Sequence, residues 1–107
     1  MLNCPEGKRM KFEIYFPSKD KDGQHLERVK RQFTMFKITQ KILEDFEGYT
    51  LIQGIGVSGS ITEKVDIITV YTNEVTETYL KVLASIIKTE LDQASVMFTI
   101  NNEAYFV

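Results

Sequence analysis

The chain predicts an α+β fold of the ferredoxin-like βαββαβ type: an antiparallel sheet with both helices on one face and a short extra C-terminal strand. Three observations carry this. Period-two alternation recurs in four separate stretches, the mark of half-buried strands. Two stretches between them carry an apolar stripe at helical spacing. Their order is strand–helix–strand–strand–helix–strand, which right-handed crossovers convert into helices on one side of the sheet.

The elements follow in chain order. Residues 1–9 read as a flexible polar tail around Pro5-Glu6-Gly7, and residues 10–107 as a single domain. Met10, Phe12, Ile14 and Phe16 alternate with Lys11, Glu13 and Tyr15, so 10–16 is a strand, ended by Pro17-Ser18. Residues 17–32 form a polar connection with a turn at Asp22-Gly23, the kind of long loop that is often functional or mobile. A helix is expected over 34–47: Thr34 suits its N-cap, Met35, Ile38, Ile42 and Phe46 form its stripe with Phe36 and Leu43 widening it, and Gly48 suits C′. A second strand over 49–57 sets Tyr49, Leu51, Gln53, Ile55 and Val57 against Thr50, Ile52, Gly54 and Gly56. The connection 58–64, centred on Gly59-Ser60, is compatible with a hairpin.

Residues 65–72, VDIITVYT, are the most β-prone stretch. Val65, Ile67 and Tyr71 oppose Ile68 and Val70, which suggests an interior strand covered on both faces. Asn73 is placed to cap a second helix over 74–91, with Glu74 and Glu77 where the helix dipole favours acids. Val75, Tyr79, Val82, Leu83, Ile86, Ile87 and Leu91 form its stripe. Residues 95–100 alternate again, Asn101-Asn102 marks a turn, and Ala104 to Val107 form a short last strand.

Composition bounds the function. A length of 107 residues fits one domain, and burial of roughly two-thirds of the unfolded surface supplies an ordinary core. No apolar run approaches the roughly 18 residues of a membrane helix, and MLNCPEGKRM has no apolar signal segment. The one cysteine, Cys4, forms neither an internal disulfide nor a Cys-rich zinc site. A cytoplasmic protein without membrane attachment is the expectation. The net charge of −2 hides an asymmetry: residues 8–41 hold ten of the 13 Lys and Arg but four of the 15 acids.

The stretch EKVDIITVYTNEVTETYLKVLASIIKTELDQASVMFTINNEAYFV resembles the C-terminal half of a family of small bacterial proteins of unknown function. The shared features are the β-branched strand, the acidic-capped helix, the strand start Gln93-Ala94-Ser95-Val96 and the terminal Tyr105-Phe106. The family has no assigned chemistry, so the resemblance implies a fold and no site residues. The element order is also similar to that of the trimeric nitrogen-regulatory and divalent-cation-tolerance proteins. Those proteins carry a long loop between the second and third strands, where this chain has only residues 58–64.

Candidate chemistry is sparse. Gly54, Gly56 and Gly59 fit the spacing of a dinucleotide-binding turn, but a β-rich stretch follows where that motif needs a helix, so a bent strand is expected. His25 stands alone in a polar loop with no readable partner, and no residue spacing fits a metal site. The acids Glu44, Asp45, Glu47, Glu74 and Glu77 read as solvated helix faces. Tyr15, Tyr49, Tyr71 and Phe12 lie on or near the sheet, yet the aromatic RNA-binding signature is absent and the pI is about 5.4. No catalytic residue and no cofactor is assigned. Arg28, Lys30 and Arg31, with His25, are the candidate anion-binding set, carried by a basic 19–31 loop that orders over the ligand, because arginine grips oxyanions with paired bonds.

An apolar set must remain on the sheet face that the helices leave bare. This predicts a homo-oligomer, dimer or trimer, with Ile68, Val70, Tyr105 and Phe106 as candidate interface residues. The favoured reading is a non-enzymatic oligomeric module that binds a small anion or an acidic protein partner. A small enzyme with its site between sheet and subunit is the first alternative, and a nucleic-acid binder the second.

Overall fold

The computed structural model describes residues 9–107. Cys4 and residues 1–8 of the tail read at 1–9 lie outside the described residues. The chain runs β1 (Met10–Phe16), α1 (Arg28–Asp45), β2 (Thr50–Ser58), β3 (Ile61–Thr72), α2 (Glu77–Glu90), β4 (Met97–Ile100) and β5 (Glu103–Phe106). All five strands join one antiparallel sheet in the order β2-β3-β1-β4-β5. This is the ferredoxin-like arrangement with one strand added at the β4 edge.

Alternation along β1 decides the two faces. Phe12, Ile14 and Phe16 are fully buried beneath the helices with Ile68, Val70 and Phe98, and Ile38, Ile42, Leu80, Leu83 and Ile87 descend on them from α1 and α2. Cross-strand pairing fixes this set, since Phe12 lies opposite Val70 and Ile14 opposite both Ile68 and Phe98. An edge-to-face chain of rings, Phe12 to Phe46 at 5.2 Å and Phe46 to Tyr79 at 5.6 Å, closes the end where α1 stops.

Several boundaries differ from those the sequence suggests, each for a local reason. Helix α1 starts six residues before Thr34. Glu27 caps it, its carboxylate accepting from the Lys30 N–H at 3.2 Å, so a basic first turn is helical despite the dipole. Thr34 is therefore inside the helix and buried, its hydroxyl donating to Glu90 on α2 at 2.9 Å. Phe36 and Leu43, read as part of the core stripe, point outward at 60% and 45% exposure. Gly48 is not left-handed; α1 ends at Phe46 in extended conformation. Thr76, not Asn73, caps α2 by accepting from the Tyr79 N–H at 3.1 Å.

The connection read at 58–64 shrinks to the two residues Gly59-Ser60, with Gly59 at φ +60° and Ser58 paired to Ile61. β3 then runs four residues ahead of its expected start. Because β1 pairs with β3 only from Asp66 onward, Gly54–Val65 extends as a two-stranded arm past the sheet. The molecule measures 46 × 26 × 23 Å. Asn101 and Asn102, both at positive φ, make the tight turn between β4 and β5. The loop expected to be mobile is tied at several points: Asp20 Oδ1 accepts from the N–H groups of Asp22 and Gln24, Lys21 N–H donates to Asp92 O, and Gln93 Nε2 donates to Lys19 O.

Substitutions that separate the faces check this architecture. Val70→Lys places a charge beneath the helices and should lower stability by roughly 3–5 kcal/mol. Ile52→Lys on the other face should leave the unfolding midpoint of the isolated chain nearly unchanged. Equal effects in a urea titration would contradict the assignment of faces. The α1–α2 contact adds a pH dependence. Lys37 bonds Glu90 and, helped by the Thr34 hydroxyl against some desolvation, holds its carboxyl below the ordinary glutamate value. That stability is present above the unfolded pKa of about 4.3 and is lost as pH falls through the lowered folded value. Lys37→Met should therefore flatten the acid limb of stability measured between about pH 6 and about pH 3.

Candidate functional site

Two surfaces, on opposite sides of the sheet, carry the residues of interest. The first is a basic cleft. The loop 17–27, the first turn of α1 and the helix side of the β2–β3 arm meet at one end of the sheet and enclose about 280 Å³. His25, Arg28 and Arg31 line it together with Gln53, Lys64 and Asp66. Arg31 is fixed: Nε donates to Pro17 O at 2.6 Å, Nη2 to Asp66 Oδ2 at 2.8 Å, and the guanidinium lies 5.0 Å from the centre of the Phe16 ring. Asp66 sits under the helix layer because it alternates with Ile68 and Val70 and pairs across β2 with Gln53. Arg28 and Lys64 are exposed and make no ion pair among the described residues.

Three of the four residues expected to bind an anion thus come together. Lys30 does not join them; it is one of the cations acting on Glu90 toward α2. Lys64 was the member missed by sequence reasoning. Its signal was alternation with Asp66 along β3, hidden because 58–64 read as a loop.

The second surface is the sheet face that no helix covers. Ile52 pairs with Ile67, Ile67 with Tyr15, and Met97 with Phe106, while Tyr15 and Met97 alternate with the paired residues Ile14 and Phe98. The result is a row, Ile52-Ile67-Tyr15-Met97-Phe106, across all five strands. Ile52 is 48% and Phe106 66% exposed, and Tyr71 adds to the patch from the next rung. A parallel row that is polar over four strands, Thr50-Thr69-Glu13-Thr99, and ends on Ala104 in β5, runs beside it. Thr99 donates to Glu13 at 3.1 Å, and Thr69 Oγ1 is buried with no hydrogen-bond partner among the described residues. Burial, then the Glu13 charge, raises the Tyr15 pKa.

A hollow of about 100 Å³ lies beside Tyr15, lined by Val65, Met97, Glu63 and Ser95 among others. Glu63 Oε1 accepts from the N–H groups of Ser18 and Lys19, each at 2.8 Å, and so ties the loop to the arm.

The interface set expected from sequence is corrected here. Ile68 and Val70 are 0% and 1% exposed beneath the helices, so the open face carries Ile67, Val65 and Tyr71 instead. Tyr105 stacks on Phe98 at 5.1 Å and belongs to the helix side, while Phe106 lies on the open face. β3 is interior to the sheet, but its second face is uncovered within one chain. Gly54 and Gly56 sit in the edge strand, where a Cβ on Gly56 would come within 3.2 Å of Val65. No helix opens after them, so the dinucleotide-binding geometry is not formed.

Two further clusters lie apart. Arg9 Nη1 reaches Tyr71 O at 3.5 Å near Glu47, and Tyr79 donates to Asp45 at 2.7 Å, its pKa raised by burial and then by that bond. Asp20, Asp22 and Asp92 bring carboxylate oxygens within 4.8 Å of one another, with Lys21 ion-paired to Asp92 at 3.1 Å.

No family model and no curated protein matches this chain, so neither resemblance read from the sequence gains support there. Solved structures do resemble it. A phage SAM lyase in complex with S-methyl-5'-thioadenosine superposes with a TM-score of 0.60 at 16% identity, over 100% of this chain and 95% of that one. A phage SAM lyase in the apo state gives 0.55 at 17% identity, over 100% and 94%. The likeness is one of fold along the whole length.

The cleft separates a structural arginine from a free one. Arg31→Gln strands the buried Asp66 and should lower stability by about 1–3 kcal/mol, whereas Arg28→Gln should change it by less than about 0.5 kcal/mol. Denaturant titration of the two variants decides this, and equal effects would remove the distinction.

Proposed function

We propose that this protein is a homo-oligomer assembled through its open sheet face, and that a second copy completes a binding site there for a nucleoside thioether of the S-methyl-5'-thioadenosine kind. The observation that carries the reading is the apolar row Ile52-Ile67-Tyr15-Met97-Phe106, half-buried at its centre and exposed at both ends, which no helix of the described chain covers. A bare sheet face in a monomer alternates to polar residues, and contiguous exposed apolar area marks an interaction surface.

The hollow beside Tyr15 supports a site shared between copies. At about 100 Å³ it is well below the roughly 300 Å³ where small-molecule sites begin, so one chain supplies only one wall. Tyr15 offers an aromatic plane for stacking a purine, and Met97 a polarizable floor for a thioether. Glu13, half-buried, offers a carboxylate on the adjoining row. The choice of ligand rests on the whole-chain likeness to a lyase whose structure holds S-methyl-5'-thioadenosine.

A second reading, that the chain cleaves SAM, is favoured by that likeness and by the carboxylate of Glu13 two residues from Tyr15 on the same face. Release of S-methyl-5'-thioadenosine from SAM by the purified protein separates cleavage from binding alone.

Ile67→Asp puts a charge into the middle of the row and should bring the mass in light scattering down to that of one 12.4 kDa chain while the fold survives. The same variant should abolish calorimetric binding of S-methyl-5'-thioadenosine. A wild-type protein that binds neither this nucleoside nor SAM, or a variant that binds it unchanged, would overturn the proposal.

A further inference from the structure

The cleft on the helix side of the sheet stands apart from the proposed nucleoside site and on the opposite face. We infer that it is a binding site for a small phosphate-type oxyanion, free phosphate or a phosphate monoester, held by Arg28, Arg31 and Lys64 with Gln53 and His25 beside them.

Charge placement carries the inference. Arg28, Lys30 and Arg31 occupy the first turn of α1, the end where the helix dipole repels cations, and no acid stands in that turn. Arg28 and Arg31 are three residues apart and so neighbours on the helix surface, where like charges destabilise. Lys64 adds a third cation to the lining from β3, on the same sheet face as Asp66. One carboxylate in the lining, Asp66, faces the three cationic side chains, and Arg31 already takes it. Glu27 is committed to capping the Lys30 N–H. An oxyanion between these groups reverses each unfavourable contact at once.

The donors are also prepared. Asp66, Pro17 O and the Phe16 ring fix the Arg31 guanidinium while Nη1 makes no hydrogen bond among the described residues. Gln53, held opposite Asp66 in the β2–β3 ladder, adds an amide. A volume of about 280 Å³ lies at the lower edge of the roughly 300–1,000 Å³ typical of ligand sites, which suits a phosphate with a short substituent better than a nucleotide.

The test is a two-dimensional amide NMR titration of the full chain with inorganic phosphate and, separately, with glycerol 3-phosphate. Saturable shifts are expected at residues 25–31, 53 and 64. Arg28→Gln with Lys64→Gln, both exposed positions, should weaken binding by about tenfold or more, because charge-assisted bonds are lost, while the rest of the spectrum keeps its dispersion. Tighter binding of glycerol 3-phosphate assigns the cleft to a monoester, and equal binding to free phosphate. Shifts that do not saturate, affinity unchanged in the double variant, or response to an oligonucleotide alone would overturn the site. None of these outcomes touches the open face, where failure of nucleoside binding is read separately.

Discussion

Phe12, Ile14 and Phe16 share one face of β1, and each is fully buried, with the backbone of that strand paired to β3 on one side and β4 on the other. A strand hydrogen-bonded at both edges cannot turn over without breaking both ladders, and a one-residue slip would send all three side chains to the opposite face. β1 therefore dictates where the helices lie. Both pack on the side of Phe12, Ile14 and Phe16, and the residues that alternate with them, Lys11, Glu13 and Tyr15, are left on the side without helices. The two surfaces follow from that division: Asp66 and Lys64 fall on the helix side because they keep step with Ile68, and Ile67 and Val65 fall on the open side because they keep step with Tyr15.

The same division explains why the molecule carries two surfaces of different character. Beneath the helix layer, the end of the sheet that α1 overhangs is polar and cationic, and its one ion pair consumes its one carboxylate. On the open side, an apolar row runs from β2 to β5, with a row beside it that is polar from β2 to β4. The β2–β3 arm continues past the sheet with Ile55 and Val57 at 66% and 71% exposure, on the side they share with Gln53 and Lys64 rather than on the open side. Helix α1 also turns Val29, Phe33 and Phe36 outward, and at 70%, 67% and 60% exposure they are as bare as anything on the open face.

The fold was readable because β1 and β4 alternate, β3 is a β-branched run, and α2 repeats at helical spacing apart from Val82, which is 56% exposed. Helix α1 was readable in existence and misread in orientation. Its apolar residues occupy two opposite stripes, Ile38 and Ile42 inward and Val29, Phe33, Phe36 and Leu43 outward, and periodicity does not say which one a sheet will take. Its start was missed because a basic turn after Glu27 looks like loop until the cap is seen. The interface residues Ile68 and Val70 were misplaced for a related reason: with apolar side chains on both faces of β3, only pairing to β1 decides which side is buried. The basic cleft was half legible. Arg28 and Arg31 are close in sequence, but Lys64, Gln53 and Asp66 join them only through the β2–β3 register, more than twenty residues downstream.

The proposed assembly covers the open face with another copy and leaves the outer face of α1 bare. Hydroxyl-radical footprinting compares them directly, because Phe106 and Phe33 are almost equally exposed in a single chain, at 66% and 67%. The assembly predicts that Phe106 is protected at micromolar concentration and labels like Phe33 on dilution, that half-buried Met97 and Tyr15 gain reactivity with it, and that Phe33 labels freely throughout. Labelling of Phe106 as fast as Phe33 at every concentration would contradict it.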